Sequence, residues 1–445
     1  MNGISNSKRE RRRKKRTNKK NNRRTTAEQA AALRWIGEWV SLASSSPPPP
    51  QPSTPSSVSD DFQVSVTRKQ SLPERPAFEL HSHSFYSDGY LSPSALVERA
   101  HRNGVRVLAL TDHDTMAGIP EALQAAYKFG IRIIPGVEIS AVFSPRRESA
   151  SEEPVHILAY YGSCGPVGFE ELDNCLSSIR DGRYTRAKTM LLKLRSLKMP
   201  LKWEHLVKIA GNGVAPGRLH VARAMVEAGH VENLKQAFSR YLFDGGPAYA
   251  RGNEPHAEEV VKLICRTGGV AALAHPWALK SPIPIIRSLK AAGLHGIEVY
   301  RSDGKFAAFS DLADTYGLLK LGGSDYHGRG GHDESDLGSV NLPILTVYEF
   351  MKLARPIWCN AIRDILQSLA DAPSNSKLER ILKFGRLKYP KGEMSPSCCK
   401  DIADLCYSWL TDEEKQSIEF EAIRCKLSDI VIHNSNGFPN PVISR

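Results

Sequence analysis

Residues 78–90 read Phe-Glu-Leu-His-Ser-His-Ser-Phe-Tyr-Ser-Asp-Gly-Tyr. A short apolar run leads into His81 and His83, and Asp88 follows inside a Ser/Gly turn. Side chains alternate faces along a strand, so His81 and His83 project together from its end. Two imidazoles on one side, with a carboxylate a turn later, make a partial metal site. Imidazole suits zinc, manganese or iron, and an added carboxylate shifts the preference towards harder ions. Read alone, the same residues are equally a pair of surface histidines beside a turn.

The chain downstream decides between the two. From residue 76 it alternates strand and helix. Ser92-Pro93 opens a helix over Ala95–His101, and Asn103-Gly104 ends it. Val105–Leu110 is an apolar run interrupted only by Arg106, the pattern of a parallel strand buried on both faces, and it ends in Thr111-Asp112-His113-Asp114-Thr115. A helix over Ile119–Phe129 precedes a strand Ile131–Val137 that ends at Glu138, and the strand Val155–Tyr160 carries His156. Residues 166–250 break this rhythm with helical stretches at 170–180, 185–197, 205–210, 219–228 and 234–242, an insertion on the rim. Alternation resumes with a strand ending at His275-Pro276, another over His295–Tyr300, and Leu318–Leu321 leading into Gly322-Gly323-Ser324-Asp325-Tyr326-His327. Metal-competent residues thus recur where apolar strands end. In β/α barrels such positions gather at the C-terminal face of the strands, so these loops should converge on one mouth.

The flanks differ. Residues 8–24 hold twelve Lys/Arg and one Glu, so they carry nearly all of the net charge of +12 and leave the rest near neutral. A segment this charged has nothing apolar to bury and should be disordered. Its blocks of Lys and Arg point to nuclear import or nucleic acid, with an organelle transit segment or a cytoplasmic location as the alternatives. Ala27–Leu42 has helical spacing and either docks a partner or folds back, and the Ser/Pro-rich residues 43–60 form a linker. Residues 1–75 are taken together as a disordered basic and Ser/Pro-rich extension, 76–340 as the domain that carries the metal-competent residues and 341–445 as a helical extension that caps the body or binds a partner. No run of eighteen apolar residues indicates a membrane span, and no signal-peptide pattern opens the chain. The eight cysteines show no C-x-x-C spacing, which suits reduced thiols.

The motifs HSHSFYSDG, LTDHDT, IIPGVEIS, VHILAY, GRLHVARAMV, LAHP and GSDYHG resemble, in order, the polymerase-and-histidinol-phosphatase (PHP) family of metal-dependent phosphoesterases. The resemblance implies an α/β fold, a distorted seven-stranded β/α barrel holding up to three divalent ions (manganese, zinc or iron). It implies as ligands His81, His83, Asp88, His113, Glu138, His156, His275, Asp325 and His327. His81, His83, Glu138 and Asp325 would share one ion, and Glu138 would bridge to a second held by His156 and His275. Asp88, His113 and His327 would hold a third. Such clusters answer a chemical need: phosphate esters hydrolyse very slowly unaided, and paired ions neutralise the phosphoryl oxygens and clamp attacking and leaving groups.

Gly217-Arg218-Leu219-His220 and the helical insertion look like the members acting on nucleoside 3′,5′-bisphosphates or the 5′ ends of short RNA. A guanidinium fork matches phosphate geometry, so Arg218 and His220 are expected on substrate phosphate, with Arg183, Arg186 and Tyr249 near the same mouth. The alternative for Arg218 is a carboxylate partner on the insertion. Asp325, His220 and Arg218 are the candidate catalytic residues, the first two being candidates for the general acid. Asp112 and Asp114 read as helix caps, and Trp277 as a core residue or a stacking platform. A histidinol-phosphate-type phosphatase, or a nuclear adaptor built on an inactive barrel, are the competing functions.

Overall fold

The computed structural model describes residues 25–41, 76–145, 152–211, 213–304, 307–330, 334–384 and 406–435. The basic arm, the Ser/Pro linker and most of the helix expected over Cys398–Leu410 lie outside these. Helix α1 (Ala27–Ser41) precedes the sheet, and α2 (Pro93–Arg102) and α3 (Ile119–Phe129) lie between the first strands. Helices α4 (Phe169–Ser196), α5 (Trp203–Ala210) and α6 (Arg218–Glu227) belong to the insertion. Helices α7 (Ala257–Arg266), α8 (Pro282–Ala292) and α9 (Ala307–Tyr316) alternate with the last strands. Helices α10 (Ile344–Asp371), α11 (Asn375–Lys383) and α12 (Ile418–Ser435) follow.

Strands β1 (Ala77–Glu79), β2 (Val105–Leu110), β3 (Arg132–Phe143), β4 (Glu153–Tyr160), β5 (Val270–Leu273), β6 (Gly296–Tyr300) and β7 (Leu319–Gly322) form one seven-stranded sheet in sequence order. All neighbours are parallel except that β4 runs antiparallel to both β3 and β5. A parallel bridge between Ser82 and Tyr326, with the His83 amide donating to Tyr326 O at 2.9 Å, joins the two ends of the sheet. The expected α/β barrel is present.

Alternation along each strand sorts its side chains into two layers. Leu108 and Leu110 of β2 pack outward beneath the surrounding helices, while Val107 and Ala109 pack inward. From Val107 to Leu110 both faces are buried, which is why this stretch is apolar, whereas Arg106 before it is exposed. The inward layer continues into α1, α10 and α12: Ile36, Trp39, Phe350, Trp358 and Ile423 belong to the same core cluster as Val107 and Leu158. The Trp358 indole donates to Tyr160 O at 3.0 Å, at the end of the barrel where β5 begins. These helices therefore plug the end opposite the ligand-bearing loops.

Three sequence expectations change. Residues 27–41, grouped with a disordered extension, form a helix that folds back on the body. Leu33, Ile36 and Trp39 are buried, and Arg132 lies over the Trp39 ring at 4.1 Å. Burying side chains of this size contributes about 1.5–3 kcal/mol each, enough to hold a short helix that would be marginal alone. The helical extension expected beyond 341 is present in α10, which packs into the inner core as a cap. Strand β3 does not end at Glu138 but runs to Phe143, since it continues as an antiparallel ladder with β4. The helices expected at 170–180 and 185–197 are one, α4. Gly182 costs it about 1 kcal/mol, but each end is anchored in a different core, Leu172, Leu176 and Ile179 under the barrel helices and Met190 and Leu194 in the insertion.

Candidate metal centre

Glu138 sits at the middle of the site and is fully buried. Its Oε1 lies 2.9 Å from His156 Nδ1 and 3.0 Å from His275 Nε2. Its Oε2 lies 3.2 Å from His81 Nε2, 3.2 Å from His83 Nε2 and 3.3 Å from His113 Nδ1. The two oxygens of one carboxylate thus face different sets of nitrogens, as a bridging ligand requires. Asp325 Oδ1 approaches His81 Nε2 at 3.3 Å and His83 Nε2 at 3.2 Å. Asp88 Oδ1 lies 3.2 Å from His327 Nε2, 3.9 Å from His113 Nε2 and 4.0 Å from His83 Nδ1.

All the expected ligand positions are therefore brought to one place. Their grouping agrees with the expectation for His81, His83, Glu138 and Asp325. It differs in two details. His83 and His113 each turn one nitrogen towards the Asp88 group and the other towards Glu138, so the groups share rings.

The donor set fits divalent ions. His83 Nδ1, His113 Nδ1 and Asp88 Oδ1 are buried with no hydrogen-bond partner among the described residues, a costly state that a cation would relieve. His81 and His83 bring their Nε2 atoms to 3.1 Å, a convergence natural for two ligands of one ion. Charge is finely opposed here: burial pushes the His113 imidazole down to about 3, whereas for His83 the carboxylates of Asp325 and Glu138 outweigh burial and push it up to about 10.

The backbone is bent to deliver these groups. Asp114, His275 and Asp325 adopt φ of 54°, 28° and 52°, a region that side-chain-bearing residues rarely enter. Gly323 allows the Asp325 loop to lie on β1, because a Cβ there would fall 2.5 Å from His81 Cβ and from its amide nitrogen.

A cavity of 320 Å³ opens on Asp88 and His113 and is also lined by Tyr86, Arg180, Arg183 and His220. Arg183 and Arg180 project from α4 between its two anchored ends. Arg183 Nε donates to Asp114 Oδ2 at 2.7 Å, and its Nη2 to Ser140 Oγ at 2.7 Å. Burial raises the Asp114 carboxyl, but Arg183 outweighs it and holds the group below its ordinary value. Asp114 is thus neither a cap nor a ligand; it fixes Arg183. His220 is buried, and its Nδ1 accepts from the Gly217 amide at 3.0 Å. Burial pushes its imidazole down to about 4, so at neutral pH it is uncharged with its proton on Nε2.

The other expected substrate residues lie elsewhere. Arg218 pairs with Asp244 at 2.5 Å and lies 5.7 Å from the centre of the Tyr249 ring, outside this cavity. That is the carboxylate-partner alternative, and it removes Arg218 and Tyr249 from the phosphate side. Arg186 pairs with Glu254 and faces a separate cleft with Arg251 and Asn253. Arg183 and Arg186 are three positions apart on α4, as Arg180 and Arg183 are, so helix periodicity does not separate them; their partners do, Asp114 for Arg183 and Glu254 for Arg186. Trp277 is covered by Arg301, whose guanidinium carbon is 4.4 Å from the ring centre.

The PHP domain model matches residues 79–262. A 3′,5′-nucleoside bisphosphate phosphatase of Chromobacterium violaceum is 33% identical over 293 residues, covering 63% of this chain and 94% of that protein. The chain belongs to the PHP domain family. A 5′-3′ exoribonuclease of Haemophilus influenzae is 34% identical over 258 residues, 56% of this chain and 89% of that protein. Among solved structures, one from Bifidobacterium adolescentis, provisionally described as a metal-dependent phosphoesterase, superposes with a TM-score of 0.54 at 29% identity. It covers 63% of this chain and 97% of its own.

Within the PHP barrel, two functional residues escaped the sequence reading. Glu298, on β6, accepts from His81 Nδ1 at 3.0 Å through Oε1 and from the His275 amide at 2.7 Å through Oε2. It fixes the His81 tautomer that leaves Nε2 bare towards the centre. The available signal was a carboxylate inside the apolar run Gly-Ile-Glu-Val-Tyr. Arg180 was the other; its signal was only a position one turn from Arg183.

Proposed function

We propose that this PHP protein is a divalent-metal-dependent phosphoesterase that hydrolyses phosphate esters of nucleotides, either nucleoside 3′,5′-bisphosphates or the 5′ ends of short RNA. The observation that carries the reading is the convergence of His81, His83, Asp88, His113, His156, His275, Asp325 and His327 around Glu138, beside a cavity with two arginines. The relatives named above act on such substrates by their descriptions. When bound, divalent ions supply charge neutralisation at the phosphoryl oxygens and activation of the attacking water.

The chain's own residues do the remainder. Arg180 and Arg183 give the cavity the positive field that draws in a phosphate dianion. Asp114 and Ser140 hold the Arg183 fork in place, so little is lost in ordering it on binding. His220, neutral, donates a hydrogen bond from Nε2 to a phosphate oxygen. Burial would raise the Asp325 carboxyl, but His81, His327 and His83 outweigh it and hold the group well below the usual carboxylate range, so Asp325, its side chain 41% exposed at the mouth, serves as a charged ligand and not as a proton donor. The finer readings are manganese, zinc or iron as the ion, and nuclear import through residues 8–24.

Phosphate release from adenosine 3′,5′-bisphosphate and from a short 5′-phosphorylated RNA, with manganese and then with a chelator, tests the function. Activity that disappears with the chelator and in His81→Ala with Asp325→Ala is expected. Activity untouched by that double substitution would remove the assignment. A fluorescent protein carrying residues 1–24 should concentrate in nuclei; an even distribution would end the import reading.

A further inference from the structure

We infer that a second groove, joined to the metal cavity at His220, is the seat of the nucleotide base next to the reacting phosphate. The inference rests on the phosphoesterase reading and names which part of the substrate goes where. The groove measures 540 Å³, within the range of small-molecule sites. Phe85 and Tyr90 line one side, and Ala210 and Val226, from α5 and α6, line the other. His220 lines both cavities.

The aromatic side of the groove is rigid. The Phe85 amide donates to Leu91 O at 2.8 Å and the Tyr90 amide to His327 O at 2.7 Å, pinning both ends of the turn. Buried Asp112 holds its base, accepting from the Ser84 amide, Ser84 Oγ and Ser87 Oγ at 2.7 Å each. A Cβ on Gly89 would fall 2.5 Å from His83 O, so the turn is packed directly on a metal-ligand residue. From this fixed turn Phe85 and Tyr90 are nonetheless 42% and 47% exposed. Rings held this firmly and left open to water make a platform with its ordering cost already met.

The neighbouring chemistry selects a base rather than a second phosphate. The Arg223 guanidinium carbon lies 3.8 Å from the Tyr90 ring centre, and its Nη2 donates to Asp88 O at 2.9 Å. It is thus already held against a ring face and a backbone carbonyl. Glu227, also lining the groove, adds a negative charge that a phosphate would meet. The arginines suited to phosphate, Arg180 and Arg183, lie in the other cavity. Two exposed rings, with an arginine of the facing helix α6 laid against one of them, offer π-faces on which bases stack with little regard to sequence. Tyr86 lines the metal cavity while its ring lies 4.9 Å from that of Phe85, so one aromatic pair spans both spaces.

Calorimetric titration of the manganese-loaded full chain with adenosine 5′-monophosphate and with ribose 5-phosphate tests this without requiring turnover. The nucleotide should bind about 10-fold more tightly, a typical gain for stacking one base. Tyr90→Ala and Phe85→Ala should each remove most of that preference while leaving ribose 5-phosphate binding as it was, and Tyr90→Phe should restore it. Equal affinities in the unaltered protein overturn the inference. So does a preference that survives both alanine substitutions, or an equal fall for both ligands in both variants, which would make the rings mere props of the turn. A retained preference without phosphate release from any nucleotide would sink the phosphoesterase reading and leave the base site standing.

Discussion

Replacing Glu298 by Gln tests the geometry of the centre more sharply than removing a ligand. The carboxylate is 1% exposed and uses one oxygen for His81 Nδ1–H and the other for the His275 amide, both donors. Glutamine keeps the size but offers one acceptor and one NH₂ group. Whichever way it turns, one of those two donors faces another donor. A buried group left unpaired costs about 1–3 kcal/mol. His81 can escape by moving its proton to Nε2, but that closes the nitrogen that faces Glu138 and Asp325. Metal affinity should therefore fall about 10–100-fold, the usual effect of losing such an outer partner. Competition against a fluorescent chelator for manganese and for zinc measures this, with Glu298→Asp as the control that keeps both acceptors but shortens their reach. If Glu298→Gln binds both metals within twofold of the unaltered protein and melts at the same temperature, Glu298 does not orient His81.

Three further outcomes follow from the same coordinates. His220 takes a proton near 6.5 when unfolded and near 4 when folded, so the unfolded chain binds it first as pH falls; the stability it contributes is complete above about pH 6.5 and drains away towards pH 4, by roughly 3 kcal/mol. Urea unfolding at pH 7.5 and 4.5 should show a pH dependence that shrinks by about this amount in His220→Gln, and an unchanged slope would contradict the buried neutral ring. Trp39→Ala, beneath Arg132 and 5.4 Å from the Trp409 ring centre, should cost about 3–5 kcal/mol in the same assay, whereas deleting residues 1–24 should cost little. Were both changes neutral, α1 would not belong to the core. Gly323→Ala forces the Asp325 loop off His81 and should lower the metal content found by elemental analysis; full occupancy would show slack that the 2.5 Å approach denies.

Much of the centre was legible because metal ligands have few chemical substitutes. Histidine and carboxylate placed at strand ends leave a trace in one dimension, as with His113 after Val105–Leu110 or His275 after Val270–Leu273. Arginines leave no such trace. Arg183, Arg186 and Arg218 are the same residue on helices of one insertion, yet Asp114, Glu254 and Asp244 claim them for different places. Which carboxylate meets which guanidinium depends on how α4 and α6 are laid over the barrel, and helical periodicity along one segment does not encode that.

The sequence by itself determined the barrel and its ring of ligands, because alternating apolar strands and helices bury only one way round and the loops at one end must then meet. Tertiary structure alone decided the sharing of Glu138 between two sets of nitrogens, the burial of Glu298 behind His81, and the recruitment of α1 and α10 into the core. Each of these joins residues far apart along the chain. Their contacts exist only once the sheet has curled and closed, so no local pattern could have carried them.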